Sequence, residues 1–268
     1  MLISSLQNIR VKQVVALSKK SSERRKQGLF VVEGQRELMH CVGHGLSIHS
    51  LFVCDDIFIN NVEMGHLESL TDQENVFHVT PEVYDKLAYR SGTEGVVALI
   101  HTPENNLSSL TLPTNPLIIV IEGVEKPGNI GAILRSADAA HADAVLICDP
   151  LTDLYNPNLI RASIGAVFTV PCAVTESGDC IRFLKERNIQ ILTAQLQDSE
   201  LYYDTDMTRP TAIVMGTEST GLTNQWREAA DSHIRIPMLG CLDSLNVSVS
   251  TAILLFEAVR QRQQVQHC

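Results

Sequence analysis

Short apolar runs recur along this chain, separated by stretches in which apolar side chains return every third or fourth position. From residue 116 onward, "LIIVI", "DAVLICD", "FTVPCAV", "IQILTAQ", "TAIVMG" and "SHIRIPM" read as strands. Between them, helical spacing marks 130–140, 157–165, "CIRFLKERN" and a long final helix over about 244–263. Strands that are apolar throughout, alternating with helices, predict a mostly parallel sheet covered on both faces. Ahead of it, "GLFVVEG", "IHSLFVC", "VFHVT" and "GVVALIH" predict a smaller α/β unit, with helices in "QRELMHCVGHG" and "PEVYDKLAYR". The stretch "TPENNLSSLTLPTN" is rich in Pro, Asn, Ser and Thr and reads as a linker. The predicted organisation is therefore an α/β domain over 1–101, a linker over 102–115 and an α/β domain over 116–268.

Composition narrows the class. A hydrophobic content of 44% with 19% charged residues is ordinary for a globular protein. No apolar run approaches the roughly 18 residues that span a bilayer, and "MLISSLQNIRVKQ" lacks the apolar centre of a signal peptide. A cytoplasmic protein, or one of an organelle interior after processing, with no membrane partner is expected. The seven cysteines contain no C-x-x-C pair and the nine histidines no ligand spacing, so no metal is expected. The net charge of −10 opposes a nucleic-acid partner, but its distribution is uneven. Residues 1–36 carry eight basic groups against Glu23 and Glu33, a local balance of +6. Lys19, Lys20, Arg24, Arg25 and Lys26 in "SKKSSERRKQG" are either a solvated helix end or a patch for phosphates.

Three loops at predicted carboxyl ends of strands, where ligands collect in such sheets, carry unusual chemistry. In "EKPGNIGAILRSADA", Asn129 is a candidate N-cap, and Ile130, Ile133, Leu134 and Ala137 form the buried stripe. Arg135 lies off that stripe, as a surface partner of Asp138 or as a functional group. The dinucleotide fingerprint G-x-G-x-x-G is missing, which argues against an oxidoreductase. "VMGTESTGL" ends a strand at Gly216 and continues through a polar loop holding Glu218 and Gly221. "IPMLGCLDSLNVSVS" places Ser244, Asn246, Ser248 and Ser250 at the start of a helix, against propensity. Either Ser244 alone caps that helix or the run marks a site.

In this order, "GNIGAILRSADA", "GTESTGL" and "IPM…SLNVSVS" strongly resemble the three motifs of the SpoU (TrmH-type) class of SPOUT RNA 2′-O-ribose methyltransferases. The resemblance runs from about Pro116 to Arg260 and includes "LIRASIGAVFTVP". Residues 1–100, with "FVVEGQREL", resemble the class's accessory RNA-recognition domain. His141-Ala142-Asp143 stands where Gly-Ala-Asp is usual, and "TEST" replaces a more glycine-rich segment.

The resemblance implies a deep trefoil knot, which spacing alone does not show, together with a homodimer and S-adenosylmethionine as cofactor. It implies methyl transfer to a ribose 2′-hydroxyl of RNA, with ribosomal RNA favoured by the accessory domain and tRNA as the alternative substrate. An inactive RNA-binding or ribosome-assembly factor is the alternative of a different kind. The intact set of Asn129, Arg135, Glu218 and Asn246 argues against it. Arg135 matches the catalytic arginine; a guanidinium keeps its proton, so an electrostatic role fits better than a base. Asn129 would orient Arg135 or the ribose. Glu218 and Asn246 match polar residues near the transferred methyl. Gly216, Ile236 and Leu245 match cofactor positions, with Thr217 and Met238 beside them and Ala194 and Gln195 on the neighbouring loop. Arg161 would take an RNA phosphate, and Ser244 joins the RNA-facing set.

Overall fold

The computed structural model describes residues 1–58, 67, 69, 71–88, 94–217, 219–241 and 244–266. In chain order its elements begin β1 (Leu2–Ile3), α1 (Ile9–Lys19), α2 (Ser21–Gln27), β2 (Leu29–Glu33), α3 (Gln35–Gly43), β3 (Ile48–Val53), β4 (Val76–Val79), α4 (Pro81–Leu87) and β5 (Val96–His101). They continue with β6 (Leu117–Glu122), α5 (Pro127–Ala139), β7 (Ala144–Cys148), α6 (Pro157–Ser163), α7 (Ala166–Thr169), β8 (Cys172–Thr175) and α8 (Ser177–Glu186). The last are β9 (Gln190–Ala194), β10 (Glu200–Leu201), β11 (Thr211–Met215), α9 (Asn224–Ala229), β12 (Ser232–Arg235) and α10 (Val247–Gln266). Contacts group them into two compact units, residues 1–103 with 153–169, and residues 104–152 with 170–268.

The first unit is built on a mixed sheet of order β1-β4-β3-β5-β2. On one face, Val11, Val14 and Leu17 of α1 and Val83, Tyr84 and Leu87 of α4 bury against Val31, Phe52, Phe77 and Leu99. On β2, Phe30 alternates with Leu29 and Val31 and so points the other way. It stacks on Tyr155 at 4.2 Å between ring centroids and lies 6.0 Å from Phe168. These aromatic contacts bring 153–169 into this unit, although in sequence it lies inside the second.

Every strand pairing in the second unit is parallel, and the sheet order is β10-β12-β9-β11-β6-β7-β8. Strand β6, between β11 and β7, is buried at every position. Ile118 and Val120 pack with Phe183 and Leu184 of α8 and Trp226 of α9. Ile119 and Ile121 point to the opposite face, where α5 and α10 pack on each other. This is the sheet that continuously apolar strands predicted. The stretch read as a linker is docked on this unit from Glu104 onward. Leu107, Leu110 and Leu112 pack on its core, and Asn105 O accepts from Val174 N at 2.9 Å.

Some local expectations change. "FTVPCAV" divides into the end of α7 and strand β8, and α6 stops at Ser163 rather than residue 165. Ile164 there takes φ 54° and Gly165 φ 89°, a left-handed turn that ends the helix. His141 takes φ 52° after α5, the same conformation at the position where the resembling class has glycine.

Candidate cofactor pocket and transfer site

The parallel strands β9, β11 and β12 end side by side, and the loops leaving them enclose a cavity of about 470 Å³. Its walls include Ala194, Gln195, Gly216, Thr217, Ile236, Met238 and Leu245. The structure thus brings into one cavity all seven residues assigned to the cofactor in the sequence. Ser244, expected to face RNA, also lines it. Glu218 lies outside the described residues.

The loop after β11 closes on itself. Thr217 N donates to Gly221 O at 3.3 Å, Gly221 N to Thr217 O at 3.1 Å, and Thr220 N to Thr217 Oγ1 at 3.0 Å. Gly221 has φ +68°, and a β-carbon on Gly216 would stand 2.4 Å from Gly221 C. Both glycines are therefore required by geometry. The far end of the loop is pinned from below by Glu122, a 4% exposed carboxylate that ends β6. Thr223 donates to it through N at 2.8 Å and Oγ1 at 2.6 Å, and Ser177 Oγ lies 3.3 Å away. Trp226 Nε1 donates to Ser177 Oγ at 2.9 Å, which itself donates to Asp149 at 2.5 Å. Sequence reasoning did not single out Glu122. Its signal was an acid closing a wholly apolar strand, since a buried carboxylate persists only where donors meet it.

Among the described residues, two polar atoms of the cavity residues are buried without a hydrogen-bond partner, Gln195 Oε1 and Arg227 Nε. Arg227 was also not singled out; in sequence it is one more arginine on a short polar helix.

The start of α5 departs from expectation. The helix begins with Pro127 in its first turn and Lys126 at the N-cap, so Asn129 is inside the first turn and not the cap. Proline has no N–H to satisfy and is pre-set for that position. Asn129 Oδ1 instead accepts from Asn246 Nδ2 at 3.1 Å. Asn246 Oδ1 accepts from Ser248 N at 3.0 Å and from Ser248 Oγ at 2.6 Å, so Asn246, not Ser244, caps α10, which starts at Val247. One residue from the third motif is thus tied to one from the first. Arg135 is exposed on α5, outside the cavity wall, and makes no ion pair with Asp138 or any other carboxylate among the described residues.

The remaining candidates lie on the first unit. Arg161 is exposed on α6, whose N-cap is the Asn156 side chain. Lys19, Lys20, Arg25 and Lys26 are exposed. Arg24 corrects the sequence reading, being 5% exposed. It donates to Asp153 Oδ2 at 2.5 Å and to Leu17 O at 2.5 Å, because its position on α2 turns it inward to segment 153–169. No phosphate can reach it there without breaking that pair.

The pattern of the SpoU rRNA Methylase family matches residues 116–256, and that of the MRM3-like substrate binding domain matches residues 8–98. The chain belongs to the SpoU rRNA methylase family. It is 37% identical over 193 residues to the 23S rRNA guanosine-2′-O-methyltransferase RlmB of Photobacterium profundum, covering 69% of this chain and 78% of that one. It is 29% identical over 263 residues to a 23S rRNA (uridine(2479)-2′-O)-methyltransferase of Streptomyces viridochromogenes, covering 95% and 91%. Among solved structures, the AdoMet-bound rRNA methyltransferase of Sinorhizobium meliloti superposes with a TM-score of 0.89 at 27% identity, covering 97% of each chain. Among the described residues no helix is long and apolar enough to cross a membrane, and no group of three or more His, Cys, Asp or Glu could hold a metal.

Proposed function

We propose that this SpoU-family enzyme transfers a methyl group from S-adenosylmethionine to a ribose 2′-hydroxyl of ribosomal RNA. The observation that carries this reading is the cavity built from the loops after β9, β11 and β12, with the third motif joined to the first through Asn246 and Asn129. The cavity fits the cofactor. Glycine at 216 lets the loop close tightly against the end of β11, Ile236 and Leu245 offer apolar surface, and Gln195 Oε1 awaits a donor.

S-adenosylmethionine supplies an activated methyl on a sulfonium. Ala194, Gln195, Gly216, Thr217, Ile236, Met238 and Leu245 hold it, orienting the transfer and excluding water. Arg135 projects from a helix anchored by Ile130, Ile133, Leu134 and Ala137, all buried. It stabilises charge developing on the ribose oxygen and binds the neighbouring phosphate, while Asn129, Asn246 and Glu218 order the ribose and the reacting centre. Arg161 and Ser244, with the exposed Lys19, Lys20, Arg25 and Lys26, meet the RNA backbone. The knotted path and cytoplasmic location belong to the same reading, as does a homodimer. Val249 and Phe256, seven residues apart on α10 and each 48% exposed, support that pairing surface. The test is methyl transfer in vitro to 23S rRNA, with 2′-O-methyl sites mapped in treated and untreated RNA. Arg135→Ala should cut turnover about a hundredfold to a thousandfold with cofactor affinity unchanged. A full rate in that variant would remove Arg135 from the chemistry.

A further inference from the structure

Among the described residues, one cation of the cavity wall has no hydrogen-bond or ion-pair partner. Arg227, on α9, lines the cavity, and its Nε is buried with no hydrogen-bond partner among the described residues. No side-chain hydrogen bond or ion pair of its guanidinium exists among the described residues. The group lies against the glycine loop, with Nη2 3.9 Å from where a β-carbon on Gly221 would stand. Guanidinium stays charged at every physiological pH. A buried donor without an acceptor loses its hydration for no return, so the surroundings call for an anion inside the cavity. The companion orphan is Gln195 Oε1. Its own Nε2 already donates to Gln197 O at 2.9 Å, which leaves the oxygen as the unmet end. One cavity therefore lacks both an anionic acceptor and a neutral or cationic donor.

A zwitterionic amino-acid group supplies that pair. We propose that Arg227 binds the α-carboxylate of the cofactor's methionine end, with Gln195 Oε1 accepting from an N–H or O–H of the same ligand. This rests on the cofactor reading above and assigns an anchor to a part of the ligand that takes no part in methyl transfer. An arginine suits it, because the planar fork offers two parallel donors to a carboxylate. Adenosine and sulfur are then held by loops and apolar walls, and the charged end by Arg227. The alternative anion is an RNA phosphate, and the test separates the two.

Calorimetry on the full chain without RNA compares S-adenosylhomocysteine, which has the amino-acid end, with 5′-methylthioadenosine, which lacks it and keeps the thioether and nucleoside. In the unaltered protein the first ligand should bind more tightly. Arg227→Gln should shrink that preference by about tenfold to a hundredfold, as for loss of a charge-assisted hydrogen bond, while 5′-methylthioadenosine binds within twofold of before. Its retained binding also reports an intact pocket. Arg227→Lys, which keeps the charge and loses the fork, should fall between the two and serves if the glutamine variant does not fold. An unchanged preference in both variants overturns the proposal. So does a glutamine variant that keeps the preference and loses RNA affinity with a shallower salt dependence, because the arginine then serves a phosphate. Failure of the unaltered protein to bind either ligand, with or without RNA, would overturn the cofactor reading itself and this proposal with it.

Discussion

Replacing Gly216 by alanine adds one methyl group where the end of β11 touches the glycine loop that lines the cavity. The new β-carbon would stand 2.4 Å from Gly221 C and 2.6 Å from both Gly221 O and Leu222 N, all backbone atoms. Carbon atoms rest at about 3.5–4.0 Å, so the strand end and the loop must separate by about 1 Å. Gly216 itself does not have the left-handed φ of Gly221, so the cost is steric and not conformational. The loop cannot simply swing away. Thr217 and Gly221 bond each other across it, and Thr223 is held on Glu122 by two hydrogen bonds. Overpacking of this sort costs about 1–3 kcal/mol. If cofactor binding requires the undisplaced loop, that cost appears in its affinity, a loss of about fivefold to a hundredfold. Calorimetry with S-adenosylmethionine measures it, and thermal unfolding of the same sample shows whether the fold survives. A dissociation constant within twofold of the unaltered protein would refute the steric argument and the importance of that wall.

The other expectations test different parts of the molecule. Arg24→Gln should destabilise the protein by about 3 kcal/mol, since it leaves Asp153, 18% exposed, facing a neutral group; denaturant unfolding measures this. Arg25→Gln with Lys26→Gln should leave stability alone, lower RNA affinity and flatten its salt dependence, and an unchanged slope would mean that these side chains are only solvated. Gly165→Ala would place a methyl 2.8 Å from His40 Cδ2 at φ +89°, so unfolding should come earlier while calorimetric cofactor affinity stays the same. In a Cys268→Ser background, Cys241, which is exposed, should react with a disulfide reagent at once. Burial pushes the Cys172 thiol up to about 12 and moves Cys41 and Cys148 upward too, with hydrogen bonding to Cys180 the larger cause at Cys148. A raised thiol pKa keeps the neutral, unreactive form as pH rises, so these should stay silent from pH 7 to 9 until denaturant is added.

Much of the second unit was legible because its local signals and its tertiary demands agree. β6, β7 and β11 are covered on both faces, so they had to be apolar at successive positions, and that leaves an unbroken run in the sequence. The three motif loops were legible because backbone conformation and polar chemistry both depart from ordinary turns there, as at Gly216, Gly221 and Asn246. Helix starts were read less well. Asn129 and Ser244 each had the chemistry of a cap, but Pro127, which has no N–H to satisfy, opens α5, and Asn246, which accepts from Ser248 N in the first turn, opens α10. What only the tertiary structure decided are pairings between distant residues. The order β9-β11-β6 is not the order of the chain. Segment 153–169 joins the first unit because Tyr155 and Phe168 stack on Phe30. Arg24 looks like its neighbours in "SSERRKQ" and differs from them only in facing Asp153. Glu122 and Arg227 owe their surroundings to loops far away in sequence. Periodicity records how often a position is buried against something; it does not record against what, because the partner is selected by packing across the folded chain.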